Sequence, residues 1–177
     1  MVNYHLLTGR IKQLPGNEAT AKMLGYAGLI PFIIFSLGSW IPLPYVSDAI
    51  RILVAYAAVI LSFMGAIHWG VALSRSARHR SKYYVTSVLP ALTAWLALLL
   101  PESYALLILL TAFIVLLAYD CAVMKPQGFP LWYIPLRIRL TIVVALCLLS
   151  TLFQNNPVVP EETGQYAIEQ DYLPSLV

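Results

Sequence analysis

Apolar residues in this chain come in runs rather than in alternation. Five runs cover residues 20–40, 48–74, 83–100, 102–123 and 135–153, divided by IPLPYVSD, RSARHRSK, the dipeptide PE and KPQGFPLWY. A helix rises about 1.5 Å per residue, so about 20 apolar residues cross a hydrocarbon layer of about 30 Å. The pattern therefore predicts an all-α fold, a polytopic membrane helix bundle with five transmembrane helices. It divides the chain into a cytoplasmic N-terminal segment (1–19), a five-helix transmembrane domain (20–153) and a polar, acidic C-terminal tail (154–177).

Local signals refine the runs. Asn17, after Pro15 and Gly16, is the expected N-cap of the first helix. Gly25, Gly28 and Pro31 make that helix small-faced and bent. The second run is the longest and is expected to tilt or to outreach the bilayer. Pro90 interrupts the third and frees the carbonyl of Thr86, with Thr86, Ser87 and Thr93 at hand to satisfy loosened backbone. The turn at Pro101 and Glu102 makes the third and fourth helices an antiparallel hairpin.

Composition agrees with a lipid-facing chain. It is 60% hydrophobic and 11% charged, against about 25% charged in soluble domains, too few charges to coat a water-facing surface. The formal charge of +3 lies beside the apolar runs, not on one basic face, so no nucleic-acid partner is expected. Cys121 and Cys147 read as free apolar thiols. The first residues lack the long apolar core of a secretory signal, leaving the first span to do its own targeting.

Cytoplasmic loops carry the excess of Lys and Arg. With the N-terminus inside and the C-terminus outside, every Lys and Arg except Arg51 falls on the inner side. Trp40 and Tyr45 then mark the outer rim, and Tyr83, Tyr84, Trp132 and Tyr133 the inner one.

Few polar residues lie at depth. His68, in SFMGAIHWG beside Trp69, stands seven residues before Arg75, about 10 Å below the inner surface. An ionisable group within a span is a functional-site hypothesis by default. Asp120 ends the fourth span and Arg137 opens the fifth on the same side, close to Trp132 and Tyr133. These six residues form the candidate ligand or helix-tethering cluster. His68 shares a helix face with Leu61, Met64, Gly65 and Ala72, while Ala58, Ser62, Ala66 and Gly70, spaced four apart, form an expected packing stripe elsewhere on the helix. For Asp120 a salt bridge to Arg137 or Lys125 is expected. No metal site is expected, since His5 and His79 lie in flanking segments and metal sites in bundles draw several ligands from facing helices. No cofactor is called for. Phosphate-cradling loops, HExxH, paired intramembrane aspartates and the nucleophile elbow are missing, so nothing in the sequence asserts an enzyme.

LGYAGLIPF (24–32), SFMGAIHWG (62–70), the pair YD (119–120) and PLWYIPLRIRLT (130–141) resemble motifs of an uncharacterised family of small five-helix inner-membrane proteins, the one that includes mitochondrial transmembrane protein 69. The resemblance runs from Leu24 to Thr151. It implies a multi-pass protein of the bacterial cytoplasmic membrane, with the mitochondrial inner membrane as the alternative. It supplies no activity and no catalytic residues. Three readings stand. The first is a non-enzymatic helper or accessory protein that packs against membrane lipid, other membrane proteins or itself. The second is a protein or enzyme that binds a small amphiphile, a quinone or phospholipid, at an inner-leaflet pocket around His68, Asp120 and Arg137. The third is a small transporter.

Overall fold

A computed structural model describes residues 15–41, 46–74, 80–124 and 130–154. Six helices lie among them: α1 (Pro15–Ala27), α2 (Ile30–Gly38), α3 (Val46–Ser74), α4 (Arg80–Ala97), α5 (Glu102–Met124) and α6 (Tyr133–Gln154). The N-terminal segment before Pro15, most of the basic segment after α3, the first part of KPQGFPLWY and the acidic tail lie outside the described residues.

The first apolar run is two helices. Pro31 has no N–H to continue the ladder and its ring crowds the carbonyl of Ala27, so α1 stops there and α2 restarts with the proline in its first turn. The junction tightens, with Gly28 N–H donating to Leu24 O and Leu29 N–H to Tyr26 O. The Gly28 carbonyl left over accepts a hydrogen bond from Tyr56 Oη on α3 at 3.0 Å. Helix α1 begins at Pro15, a favoured first position, so Asn17 lies inside the helix and is not its cap.

Among the described residues four stretches are long and apolar enough to cross a membrane: Glu18–Gly38, Asp48–Leu73, Glu102–Val123 and Tyr133–Gln154. Helix α4 falls outside this set because its first turns read Arg-Ser-Lys-Tyr-Tyr. Helix α5 is apolar all round, as a helix between protein and lipid must be. Side chains such as Ile34, Phe63, Leu99, Val115 and Phe153 point outward and stay exposed. In water such a surface would drive aggregation; in lipid it needs no cover.

Phe32, Leu53, Leu61, Leu106, Leu109, Phe113 and Leu148 form the buried centre. Phe32 meets Tyr56 edge-on at 5.0 Å and Phe113 at 6.3 Å between centroids, the quadrupole-favoured arrangement. Helix α2 is fastened to α6 through Ser36 Oγ, which donates to Cys147 O at 3.0 Å, and through Trp40 Nε1, which donates to Ser150 Oγ at 2.9 Å. Cys121 and Cys147 are free thiols.

Helix α3 lies against α2, α4 and α5. Its closest approach is to α4 at Gly65, where a Cβ would come within 2.9 Å of both the Ser87 carbonyl oxygen and the Pro90 ring. The expected stripe does not do this. Ala58 is buried and Ser62 half-buried, whereas Ala66 and Gly70 face outward, Gly70 with nothing within 4 Å of its would-be Cβ. The reason is the helical period: positions four apart drift by about 40° per step at 3.6 residues per turn, so the stripe winds from core to exterior. At the α4 kink, the hydroxyls of Thr86 and Ser87 donate to Lys82 O and Tyr84 O, one turn back along the helix.

Candidate functional site

Asp120 and Arg137 are brought together because the end of α5 and the start of α6 lie side by side, and α3 presents His68 to the other oxygen of Asp120. His68, Asp120 and Arg137 are 0%, 1% and 5% exposed. Asp120 uses both carboxylate oxygens: Oδ1 lies 2.9 Å from His68 Nε2, and Oδ2 accepts from Arg137 Nε at 2.8 Å. Burying a charge is tolerable only when it is paired and hydrogen-bonded, and here each partner supplies that for the other. Of the two bases suggested for Asp120, Arg137 is its partner, and Lys125 lies outside the described residues. Arg137 Nη1 also donates to the thioether of Met64 on α3. The His68 ring is held edge-on by Tyr119 at 5.3 Å between centroids, and Tyr119 in turn places its hydroxyl 3.2 Å from that of Thr86 on α4.

Three polar atoms at this centre are buried without a hydrogen-bond partner among the described residues: His68 Nδ1, Arg137 Nη2 and Thr141 Oγ1. Arg137 and Thr141 stand one turn apart on the same face of α6. Both line a partly open cavity of about 350 Å³ between α1, α2, α3 and α6. Its remaining wall is apolar or aromatic, including Leu24, Phe32, Ile67, Phe113, Trp132 and Tyr133. Gly25 and Gly28 line the cavity without side chains to fill it; a Cβ at Gly25 would already touch Leu140 at 3.0 Å. A second, more open groove of about 640 Å³ lies between α4 and α5, lined by Pro90, Thr93, Thr111 and Tyr119. None of its polar side chains is among the buried unpartnered groups.

Of the six residues singled out from sequence, His68, Asp120 and Arg137 touch one another in a chain, and Trp132 and Tyr133 line the cavity beside Arg137. Trp69 does not join them. It is 48% exposed and stacks edge-on against Tyr84 at 4.9 Å, on the outer side of α3. One residue along a helix is a rotation of about 100°, so adjacency to His68 directs Trp69 away from it. Met64, Tyr119 and Thr141 belong to the site and were missed, although Met64 shares the His68 face and Tyr119 and Thr141 lie within the quoted motifs. Among the described residues no three His, Cys, Asp or Glu side chains gather as metal ligands; the cation next to Asp120 is a guanidinium.

Comparison with known proteins agrees with the membrane architecture. A family described as "Protein of unknown function (DUF3429)" matches residues 17–153. Transmembrane protein 69 of Xenopus tropicalis is 34% identical over 162 residues, 89% of this chain and 63% of that protein. Transmembrane protein 69 of Mus musculus is 31% identical over 156 residues, 86% of this chain and 62% of that protein. The chain thus spans a little under two thirds of the length of these relatives. No solved structure matches it.

Proposed function

This chain belongs to the family described as protein of unknown function (DUF3429), and from that premise we propose that it is a membrane protein that binds a small amphiphile, a quinone or a phospholipid. The ligand's apolar body lies between α1, α2, α3 and α6, and its polar end meets Arg137. One observation carries this reading: Arg137, paired with Asp120 and with one guanidinium nitrogen left unpartnered among the described residues, lines a largely apolar cavity of about 350 Å³. Ligand sites are typically apolar concavities of about 300–1,000 Å³ with a few well-placed polar groups.

The topology that goes with this reading has α4 as a fifth crossing, the N-terminus inside and the C-terminus outside, in a bacterial cytoplasmic membrane or the mitochondrial inner membrane. In support, α4 has 18 residues, about 27 Å at 1.5 Å per residue, and packs along α3, itself a candidate span. The distribution of Lys and Arg supports the orientation. Arg137 then lies toward the inner leaflet. The helper reading draws on a separate feature, the outward-facing Ala66 and Gly70, but leaves the cavity and the spare N–H of Arg137 without a role, and it ranks second.

The test is native mass spectrometry of the protein released from mild detergent, alongside Ala21→Phe, which puts a ring into the cavity from α1. Wild type is expected to retain one amphiphile per chain and Ala21→Phe to have lost it. Identical spectra for the two proteins would refute amphiphile binding in this cavity.

A further inference from the structure

The chemistry of the bound molecule's polar end follows from a charge count at the cluster. Arg137 brings one positive charge to the cavity wall, and Asp120 places one negative charge 2.8 Å behind it. His68 Nε2 lies 2.9 Å from the other carboxylate oxygen, Oδ1. The Asp120–Arg137 pair is electrically balanced before any ligand arrives. An anionic headgroup against Arg137 would introduce one uncompensated charge beside a pair that is already neutral, in a largely apolar lining.

What the wall offers instead is hydrogen-bonding capacity. Arg137 and Thr141, 5% and 3% exposed, both line the cavity, and Arg137 Nη2 and the Thr141 hydroxyl are buried without a partner among the described residues. Each can donate, and a single carbonyl oxygen has two lone pairs to receive them. Aromatic side chains are part of the lining: Trp132, Tyr133 and Phe113 all border the cavity, which suits a ring stacked between aromatic faces.

Resting on the amphiphile-binding reading, we propose that the cavity selects a neutral amphiphile of the quinone type, whose ring carbonyl oxygen bridges Arg137 and Thr141, and that it rejects anionic headgroups such as phosphates. Asp120 acts as a positioning residue: it fixes the guanidinium plane and cancels its charge, which turns an anion-binding arginine into a donor for a neutral oxygen.

The experiment uses the full chain in a neutral maltoside detergent and two probes with the same tail, decylbenzoquinone and decyl phosphate. Binding is followed by quenching of tryptophan fluorescence or by displacement of a bound fluorescent amphiphile, with Ala21→Phe as the blank for partitioning into the micelle. The quinone is expected to bind at least about tenfold more tightly than the phosphate. Thr141→Val keeps the shape and removes the hydroxyl; it is expected to weaken the quinone about fivefold, the loss of one hydrogen bond, and to leave the phosphate unchanged. Since the Thr141 hydroxyl has no partner to lose, this variant folds. Equal or tighter binding of decyl phosphate, or a Thr141→Val variant that binds the quinone as wild type does, would overturn the neutral-carbonyl assignment while amphiphile binding stood. Tighter binding of a neutral diacylglycerol than of the quinone would overturn the ring. If no probe binds wild type better than the blank, amphiphile binding itself fails.

Discussion

Replacing Asp120 by Asn tests whether the site is an ion pair shielded from water. The substitution keeps the shape and one acceptor oxygen but removes the charge, and Arg137, 5% exposed, is left as a buried cation. At an effective dielectric of about 20, unit charges about 4 Å apart attract by about 4 kcal/mol, and breaking a buried pair by removing one partner costs about 3–5 kcal/mol. The double variant Asp120→Leu with Arg137→Met removes both charges; it should recover to within about 1–2 kcal/mol of wild type, the residue of the loss being the unpaired His68 Nε2. The cycle is completed with the single variants Asp120→Leu and Arg137→Met, read by reversible unfolding in mixed micelles as the fraction of dodecyl sulfate is raised. The coupling energy should reach at least about 2 kcal/mol. Hydrogen bonds between membrane helices average about 0.6 kcal/mol in such cycles, so a coupling at or below that figure would mean that Asp120 and Arg137 make an ordinary polar contact reached by water, and the charge count drawn from them would fall.

Two glycines of α3 should behave oppositely. Gly65→Ala, whose Cβ would lie 2.9 Å from Ser87 O and the Pro90 ring, meets a backbone and a ring that cannot swing aside, and should destabilise by about 1–3 kcal/mol. Gly70→Ala, with open space around it, should be neutral or gain up to about 1 kcal/mol from helix propensity; equal effects in the same unfolding assay would place the α3–α4 contact elsewhere. The fifth crossing is tested with Leu99→Cys, in the α4–α5 turn, in a background with Cys121 and Cys147 replaced by Ala. A membrane-impermeant maleimide should label it from the outside of intact cells, and labelling only after permeabilisation would mean that α4 does not cross.

The helical character of the apolar runs was legible because the cost of leaving backbone polar groups unpaired in hydrocarbon forces long apolar runs into helices, whereas the split of the first run at Pro31 was not. The meeting of His68, Asp120 and Arg137 was legible for a related reason: ionisable side chains within apolar runs must find one another or stay exposed to lipid. Rotation about the helix axis was harder. Gly65, on the His68 face, makes the close approach to α4, whereas Gly70, a member of the stripe that the spacing singles out, has open space around it. Trp69 was grouped with His68 by adjacency, although neighbours along a helix point in directions about 100° apart. The cavity was not legible at all. Gly25, Gly28 and Pro31 announce a bend, but the direction in which α1 leaves α2, and hence the space that opens beside Arg137, is decided by what packs on each side: Tyr56 holding the Gly28 carbonyl, and Ser36 holding α2 to α6.

A tie between helices and a ligand site make different demands on the same three residues. A tie is best served by apolar packing, since replacing a buried ion pair with well-packed hydrophobic groups is often neutral or stabilising by about 1–4 kcal/mol; where a tie is polar, stability favours satisfying every donor. Asp120 meets that standard with both oxygens bonded. Arg137 does not, because Nη2 has no partner among the described residues, and neither has the hydroxyl of Thr141, which lines the same cavity. A lysine at the same position would satisfy Asp120 with a single point charge, whereas the planar fork of an arginine can face Asp120 on one edge and a ligand on the other. The unspent donor is therefore the feature that a purely structural role leaves over. Arg137→Lys is accordingly the substitution that separates the two demands: it should keep most of the Asp120 coupling in the unfolding assay while weakening whatever binds in the cavity.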